Sequence, residues 1–311
     1  MQNNLAFVFP GQGSQAVSML ADFSEESVVQ ETFKEASDAL GYDVWQLVSE
    51  GPAEKLNQTN FTQPALLTAS VALWRLLAAK TEIKPSTLAG HSLGEYSALV
   101  CADIISLSDA VKLVQKRGEL MQTSVPEGVG AMAAVIGLAD DSIIAACEQA
   151  QENEVVSAVN FNSPGQVVIA GNKAAVERAG VLCKEAGAKR VLPLPVSVPS
   201  HCALMESAAE ELAKELDKIT FNTPTIPVIN NVDVAIETSE ASIKNALVRQ
   251  LYSPVRWTET IELLAKNGCT QVLEIGPGKV LQGLLKRIDK SISCESVNDN
   301  ASLTKALELI K

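Results

Sequence analysis

An α/β fold, with a mostly parallel sheet and one small inserted subdomain, is what this sequence predicts. Three observations carry that expectation. Short apolar runs of strand character alternate with longer segments of helical period along the 311 residues. One run, residues 87–89, breaks straight into a helical pattern through Gly90-His91-Ser92-Leu93-Gly94. That is the Gly-x-Ser-x-Gly spacing of a nucleophile elbow. Residues 128–197 then follow the order β-α-β-β-α-β, the ferredoxin-like signature. The expected architecture is an α/β-hydrolase-like catalytic domain of residues 1–127 and 198–311. Residues 128–197 are inserted into it as a ferredoxin-like subdomain.

Residues 5–9 (Leu5-Ala6-Phe7-Val8-Phe9) form a short apolar strand, closed by Pro10-Gly11-Gln12-Gly13-Ser14-Gln15. The glycines around Gln12 allow a tight turn and leave N–H groups free. The Gly-x-Gly-x-x-Gly dinucleotide fingerprint is not completed. In an α/β-hydrolase-like site a second oxyanion donor comes from a loop after an early strand, and Gln12 suits that role. A plain strand–helix turn is the alternative.

Residues 24–82 are mostly helical in pattern. Within them 64–74 are apolar nearly all round and predict a buried helix. At the elbow, a strand that turns at once into a helix brings backbones too close for a Cβ on either side of Ser92. The serine is then held in a strained conformation at the helix start. There the Leu93 N–H and the positive helix end face an oxyanion position. Ser92-x-x-Glu95 before an apolar run is also a capping box, which needs no catalysis.

A helix is expected from about 106 to 122, with Leu107, Ala110, Val111, Val114 and Met121 on its apolar stripe. Arg117 falls inside that stripe. A guanidinium turned to the core needs an anionic partner, either a distant Asp or Glu or a substrate. In the insert, 131–138, 155–160, 166–170 and 190–196 read as strands and 141–152 and 173–186 as helices. Residues 161–165 make a hairpin loop. Beyond it, 225–232 read as a buried strand, 241–250 and 258–267 as helices, the latter stopped by Gly268. Residues 271–275 read as a strand, then Gly276-Pro277-Gly278-Lys279 and a further helix. That tetrapeptide does not complete a P-loop.

Composition narrows the function. The net charge is −12, which argues against general nucleic-acid or anionic-membrane binding. No apolar run reaches the length of a membrane span, and the first residues lack a basic n-region, so a cytoplasmic protein is expected. The six cysteines form no Cys-x-x-Cys pair and there are two histidines, which speaks against zinc and disulfides. The cysteines are expected reduced and mostly in the core.

Of the two histidines, His91 adjoins Ser92, and its side chain should project away from the hydroxyl. His201, in Val198-Pro199-Ser200-His201-Cys202, is then the only candidate base. It sits where the insert returns to the main domain, a natural seam for a cleft.

Together these motifs resemble the malonyl-CoA:acyl-carrier-protein transacylases, of the stand-alone bacterial type. The motifs are Gly11-Gln12-Gly13-Ser14-Gln15 after the first strand, Gly90-His91-Ser92-Leu93-Gly94-Glu95, Arg117, the insert, His201 and Glu274-Ile275-Gly276-Pro277-Gly278. The resemblance runs over essentially the whole chain.

It implies a ping-pong transfer of malonyl from malonyl-CoA to the pantetheine thiol of holo-acyl carrier protein, for fatty acid biosynthesis. Ser92 would be the nucleophile and His201 the base. The N–H groups of Gln12 and Leu93 would form the oxyanion hole, and Arg117 would grip the malonyl carboxylate. Gln250 would orient the histidine through its backbone carbonyl in place of an Asp. No cofactor or metal is implied, and a monomer is expected. The carrier, itself acidic, would dock on local cations, for which Lys189, Arg190, Lys286 and Arg287 are candidates. A serine thioesterase or hydrolase and a non-catalytic carrier-binding subunit remain the alternatives.

Overall fold

Five parallel strands and four antiparallel ones make two sheets in the computed structural model, which describes residues 2–196 and 198–310. In chain order the strands are β1 (Gln2–Phe9), β2 (Pro85–Gly90), β3 (Gly130–Ile136), β4 (Val156–Ser163), β5 (Gln166–Asn172), β6 (Arg190–Pro193), β7 (Val228–Ile229), β8 (Gln271–Ile275) and β9 (Ser293–Val297). The first sheet runs β7-β2-β1-β8-β9, every pair parallel. The second runs β4-β5-β3-β6, every pair antiparallel, the order a ferredoxin-like unit requires.

The apolar run of β1 follows from its position at the centre of the parallel sheet. Successive side chains point to opposite faces, and both faces are covered. Leu5, Phe7 and Phe9 enter the core packed by the helices Ser27–Leu40, Thr59–Lys80 and Leu107–Ser124. Ala6 and Val8 enter a second core, under the helices Trp257–Lys266 and Val280–Ile288. The helix Thr59–Lys80 is apolar all round because it lies between the sheet and its neighbours, as expected for 64–74.

The insert has a core of its own, formed by one face of its sheet and the helices Asp140–Ala150 and Lys173–Glu185. Its other face gathers Met132, Val159, Val168 and Ala170 against Cys202 of the main domain. The β4 edge is also stitched to the main domain. Val255 N–H donates to Val159 (2.8 Å), and Phe161 N–H donates to Val255 (3.0 Å).

Several expected boundaries shift, for local reasons. The strand expected over 190–196 ends at Pro193: Leu194 N–H still reaches Met132 (2.9 Å), but Pro195 has no donor. The strand expected over 225–232 shrinks to two residues. The Asn230 carboxamide captures the N–H groups of Val232 (3.1 Å) and Asp233 (2.7 Å) and turns the chain away from the sheet. The hairpin loop expected over 161–165 contracts to Pro164-Gly165, because both strands run further. The strand Ser293–Val297 and the helices Glu206–Leu216 and Asn300–Leu309 were not expected. The insert boundary expected at residue 197 lies outside the described residues, as do the chain ends 1 and 311. The six cysteines are free and buried, and among the described residues no helix is long and apolar enough to cross a membrane.

Candidate active site

At the end of β2 the backbone turns into the helix Leu93–Cys101 within two residues. The turn is as tight as the sequence implies. A Cβ on Gly90 would come within 1.9 Å of the Gly94 carbonyl carbon, and one on Gly94 within 2.0 Å of the Phe9 oxygen. Ser92 between them takes φ 51° and ψ −107°, a conformation L residues rarely adopt. Asn231 spans the turn: its Oδ1 accepts the Ser92 N–H (2.7 Å) and its Nδ2 donates to Gly90 O (2.7 Å). The capping box does not form. Ser92 makes no side-chain cap, and Glu95 turns elsewhere.

The Ser92 hydroxyl instead meets His201, Oγ to Nε2 at 2.9 Å. The other ring nitrogen, Nδ1, stands 2.7 Å from the backbone oxygen of Gln250. A carbonyl only accepts, so Nδ1 carries the proton and Nε2 offers its lone pair to the serine. Burial, reinforced by the Arg117 guanidinium, pulls the His201 pKa down to about 3, against the pull of the Gln250 carbonyl. The imidazole is therefore neutral at neutral pH, as a base must be. His91, by contrast, hydrogen-bonds Asn162 of the insert (2.8 Å) and lies against Trp257.

Arg117 is buried at 1% exposure, and its position depends on a glycine. Gly118 lies against the helix Thr59–Lys80 so closely that a Cβ would fall 2.7 Å from Asn60 Cα. That approach brings Gln63 to the guanidinium, where Nη1 donates to Gln63 Oε1 (2.8 Å). Nη2 donates to Gln250 Oε1 (3.0 Å) and to Ser92 Oγ (3.3 Å). The Tyr96 ring stands 5.3 Å away, and Nε has no partner among the described residues. None of the described hydrogen-bond partners of Arg117 is a carboxylate.

Glu95 is the carboxyl behind this array. Its Oε2 accepts from Asn231 N–H (2.9 Å) and from Gln250 Nε2 (2.7 Å). Burial raises its pKa to about 7 in spite of those bonds and of Arg117. Gln250 Nε2 also reaches the Ser92 carbonyl (3.1 Å). One glutamine thus touches the Ser92 backbone, the histidine, the arginine and the glutamate.

Leu93 is the first residue of its helix, so its N–H lacks an intrahelical acceptor. Gln12 follows Gly11, whose Cβ position is 2.5 Å from the His91 oxygen, so its loop is pressed onto the elbow. Both residues line a cavity of about 270 Å³ together with Ser92, Arg117 and His201. Met132 and Asn160 of the insert close its other side. Lys189, Arg190, Lys286 and Arg287 are all exposed, and Arg287 also hydrogen-bonds Gln166.

The elbow, the histidine and the arginine anticipated from sequence thus meet in one cavity. Gln63, Glu95 and Asn231, which hold these groups from behind by hydrogen bonds, were not anticipated. Their signals were faint: one glutamine just before the apolar run 64–74, and two asparagines in a run that otherwise reads as a buried strand.

The family described as "Acyl transferase domain" matches residues 6–306. The malonyl CoA-acyl carrier protein transacylase of Haemophilus influenzae is 65% identical over 307 residues, covering 98% of each chain. The crystal structure of an acyl carrier protein S-malonyltransferase from Vibrio cholerae superposes with a TM-score of 0.96 at 63% identity, over 99% of this chain and 100% of that one. A malonyl-transacylase solved in complex with its holo type II polyketide synthase acyl-carrier protein gives a TM-score of 0.97 at 61% identity, over 98% and 99%. The chain belongs to the acyl transferase domain family, among its malonyl-CoA:acyl-carrier-protein transacylases.

Proposed function

We propose that this protein transfers the malonyl group of malonyl-CoA to the phosphopantetheine thiol of holo-acyl carrier protein, for fatty acid synthesis. One observation carries the choice of acyl group: a buried guanidinium, lacking a carboxylate partner among the described residues, 3.3 Å from the Ser92 hydroxyl. An acyl group on Ser92 that bears a carboxylate one methylene from its carbonyl brings that anion to Arg117. An acetyl group brings nothing.

In the first half-reaction Ser92 Oγ attacks the thioester carbonyl while its proton moves to His201 Nε2. The oxyanion is received by the N–H groups of Gln12 and Leu93, each contributing about 3–4 kcal/mol by comparison with other such donors. The C–S bond breaks, and the His201 proton passes to the CoA sulfur. In the second half the carrier's thiol gives its proton to His201 and attacks the malonyl-serine, and Ser92 recovers a proton from His201. Gln250 O holds the ring throughout, a dyad with a carbonyl where other hydrolase-like sites use an Asp. Arg117 binds the malonate end with charge-assisted bonds.

The division into 1–127 with 198–311 and an insert of 128–197 belongs to this reading. The separate insert core and the cavity between insert and elbow support it. Docking of an acidic carrier on Lys189, Arg190, Lys286 and Arg287 belongs to it too, and rests on their charge and exposure.

The test is the fate of the acyl group. Malonyl-CoA and holo-carrier should give malonyl-carrier and CoA in equal amounts. Free malonate accumulating in place of the carrier thioester would make the protein a thioesterase.

A further inference from the structure

The cradle of Arg117 is built from neutral oxygens, and that choice has a chemical consequence. Gln63 is fully buried and lies 54 positions before Arg117 in sequence. Because a guanidinium can only donate, the Gln63 atom facing it must be the carbonyl oxygen. The Gln63 amide nitrogen points instead at the Met121 sulfur (3.7 Å). Gln250 presents its own Oε1 to the arginine because Glu95 Oε2 and the Ser92 carbonyl hold its nitrogen on the other side. Two carboxamides thus satisfy the geometry of the guanidinium without neutralising it. Glu95 reaches the arginine only through the Gln250 amide.

A carboxylate in the same place would form a buried ion pair with Arg117 and leave little unpaired charge for a ligand. We infer that Gln63 is a specificity-determining positioning residue: its neutral amide oxygen fixes the Arg117 guanidinium while leaving its positive charge for the carboxylate of the incoming acyl group. The inference rests on the malonyl selection proposed above and deepens it. It assigns the preference to the absence of charge at residue 63 as much as to its presence at 117.

Gln63→Glu tests this with almost no change of volume. A carboxylate beside the guanidinium ionises readily. The variant should lose kcat/KM for malonyl-CoA and keep or gain that for acetyl-CoA. The ratio of the two should then fall at least about tenfold, read with a small pantetheine thiol as acceptor. In an Arg117→Ala background the same substitution should leave the ratio unchanged. Gln63→Met, which removes an acceptor and adds no charge, should raise KM for malonyl-CoA more than that for acetyl-CoA. It keeps the test alive if the glutamate variant fails to fold. An unchanged ratio in Gln63→Glu, equal loss of both activities in either variant, or a shift that persists without Arg117 would each overturn the inference. Failure of the functional reading looks different: the wild type itself would show no preference for malonyl.

Discussion

Two buried charges in this protein are held in opposite ways. Glu274 on β8 is fully buried, and its two oxygens accept the N–H groups of Leu281 (3.0 Å) and Gln282 (2.8 Å). It completes the start of the helix Val280–Ile288, where a negative group is favoured. Arg117 is as deeply buried, yet it is met by two neutral amides and a hydroxyl, with one nitrogen left over. The first is met at both oxygens by N–H groups, although burial still raises its pKa, and it serves the fold. The second is held in place but left short of a counter-charge, and the partner we propose for it is the acyl group. Burial alone does not distinguish a structural charge from a functional one; completeness of its partners does.

The comparison can be broken at either charge. The largest effect is expected at Arg117. Arg117→Ala should cut malonyl transfer by at least about a hundredfold, since two charge-assisted bonds of about 1.5–3 kcal/mol each are lost. Acetyl transfer should fall far less, so paired rates with the two thioesters give the answer. Glu274→Ala should do the reverse. It strands two buried N–H groups, for a loss of about 2–4 kcal/mol of stability. The malonyl/acetyl ratio of the folded fraction should stay as it was, with denaturant unfolding as the measure.

Gly118→Ala lies between the two, because it touches both packing and site. Its Cβ would sit 2.7 Å from Asn60 Cα, which predicts about 1–3 kcal/mol of overpacking. The same strain parts Gln63 from Arg117, so malonyl preference should drop along with the melting temperature.

The smallest effect is one of pH. Glu95 is raised from 4.5 to about 7 in the fold, so the folded protein holds its proton more tightly than the unfolded chain. That contribution to stability is complete below 4.5 and is lost as pH rises through 7. His201, lowered from 6.5 to about 3, has the opposite sign: its contribution is complete above 6.5 and is lost as pH falls through 3. Glu95→Gln can keep both bonds on one amide oxygen and removes only the first of these titrations. Its melting temperature should gain on the wild type by a few degrees between pH 6 and 9, as calorimetry across that range would record.

Much of this was legible in the chain, and the particular residues say why. The elbow declares itself because close backbone approach forces glycines at fixed spacing around Ser92. Arg117 shows because a charge on an apolar helical stripe is an anomaly that periodicity exposes. The insert is readable because each of its elements obeys a local period. What stayed hidden is long-range and neutral. Gln63, Asn231 and the side-chain role of Gln250 act through amide contacts between segments 54 to 158 positions apart, and a carboxamide leaves no charge or periodic mark in a sequence. The boundary at 228–229 was lost for a related reason: the Asn230 side chain ends the strand, not its apolar content. The edge strand Ser293–Val297 reads Ser-Cys-Glu-Ser-Val, with Glu295 and Ser296 side by side, so it has neither an apolar run nor an alternation to mark it.

The central claim is that Ser92 accepts an acyl group chosen by the unpaired charge of Arg117. Intact-protein mass spectrometry after brief mixing with malonyl-CoA, with acetyl-CoA in parallel and Ser92→Ala as control, addresses it most directly. A malonyl-sized adduct is expected on the wild type, with little acetyl adduct, none on Ser92→Ala, and discharge by a pantetheine thiol. Equal malonyl and acetyl adducts, or an adduct that survives in Ser92→Ala, would contradict it.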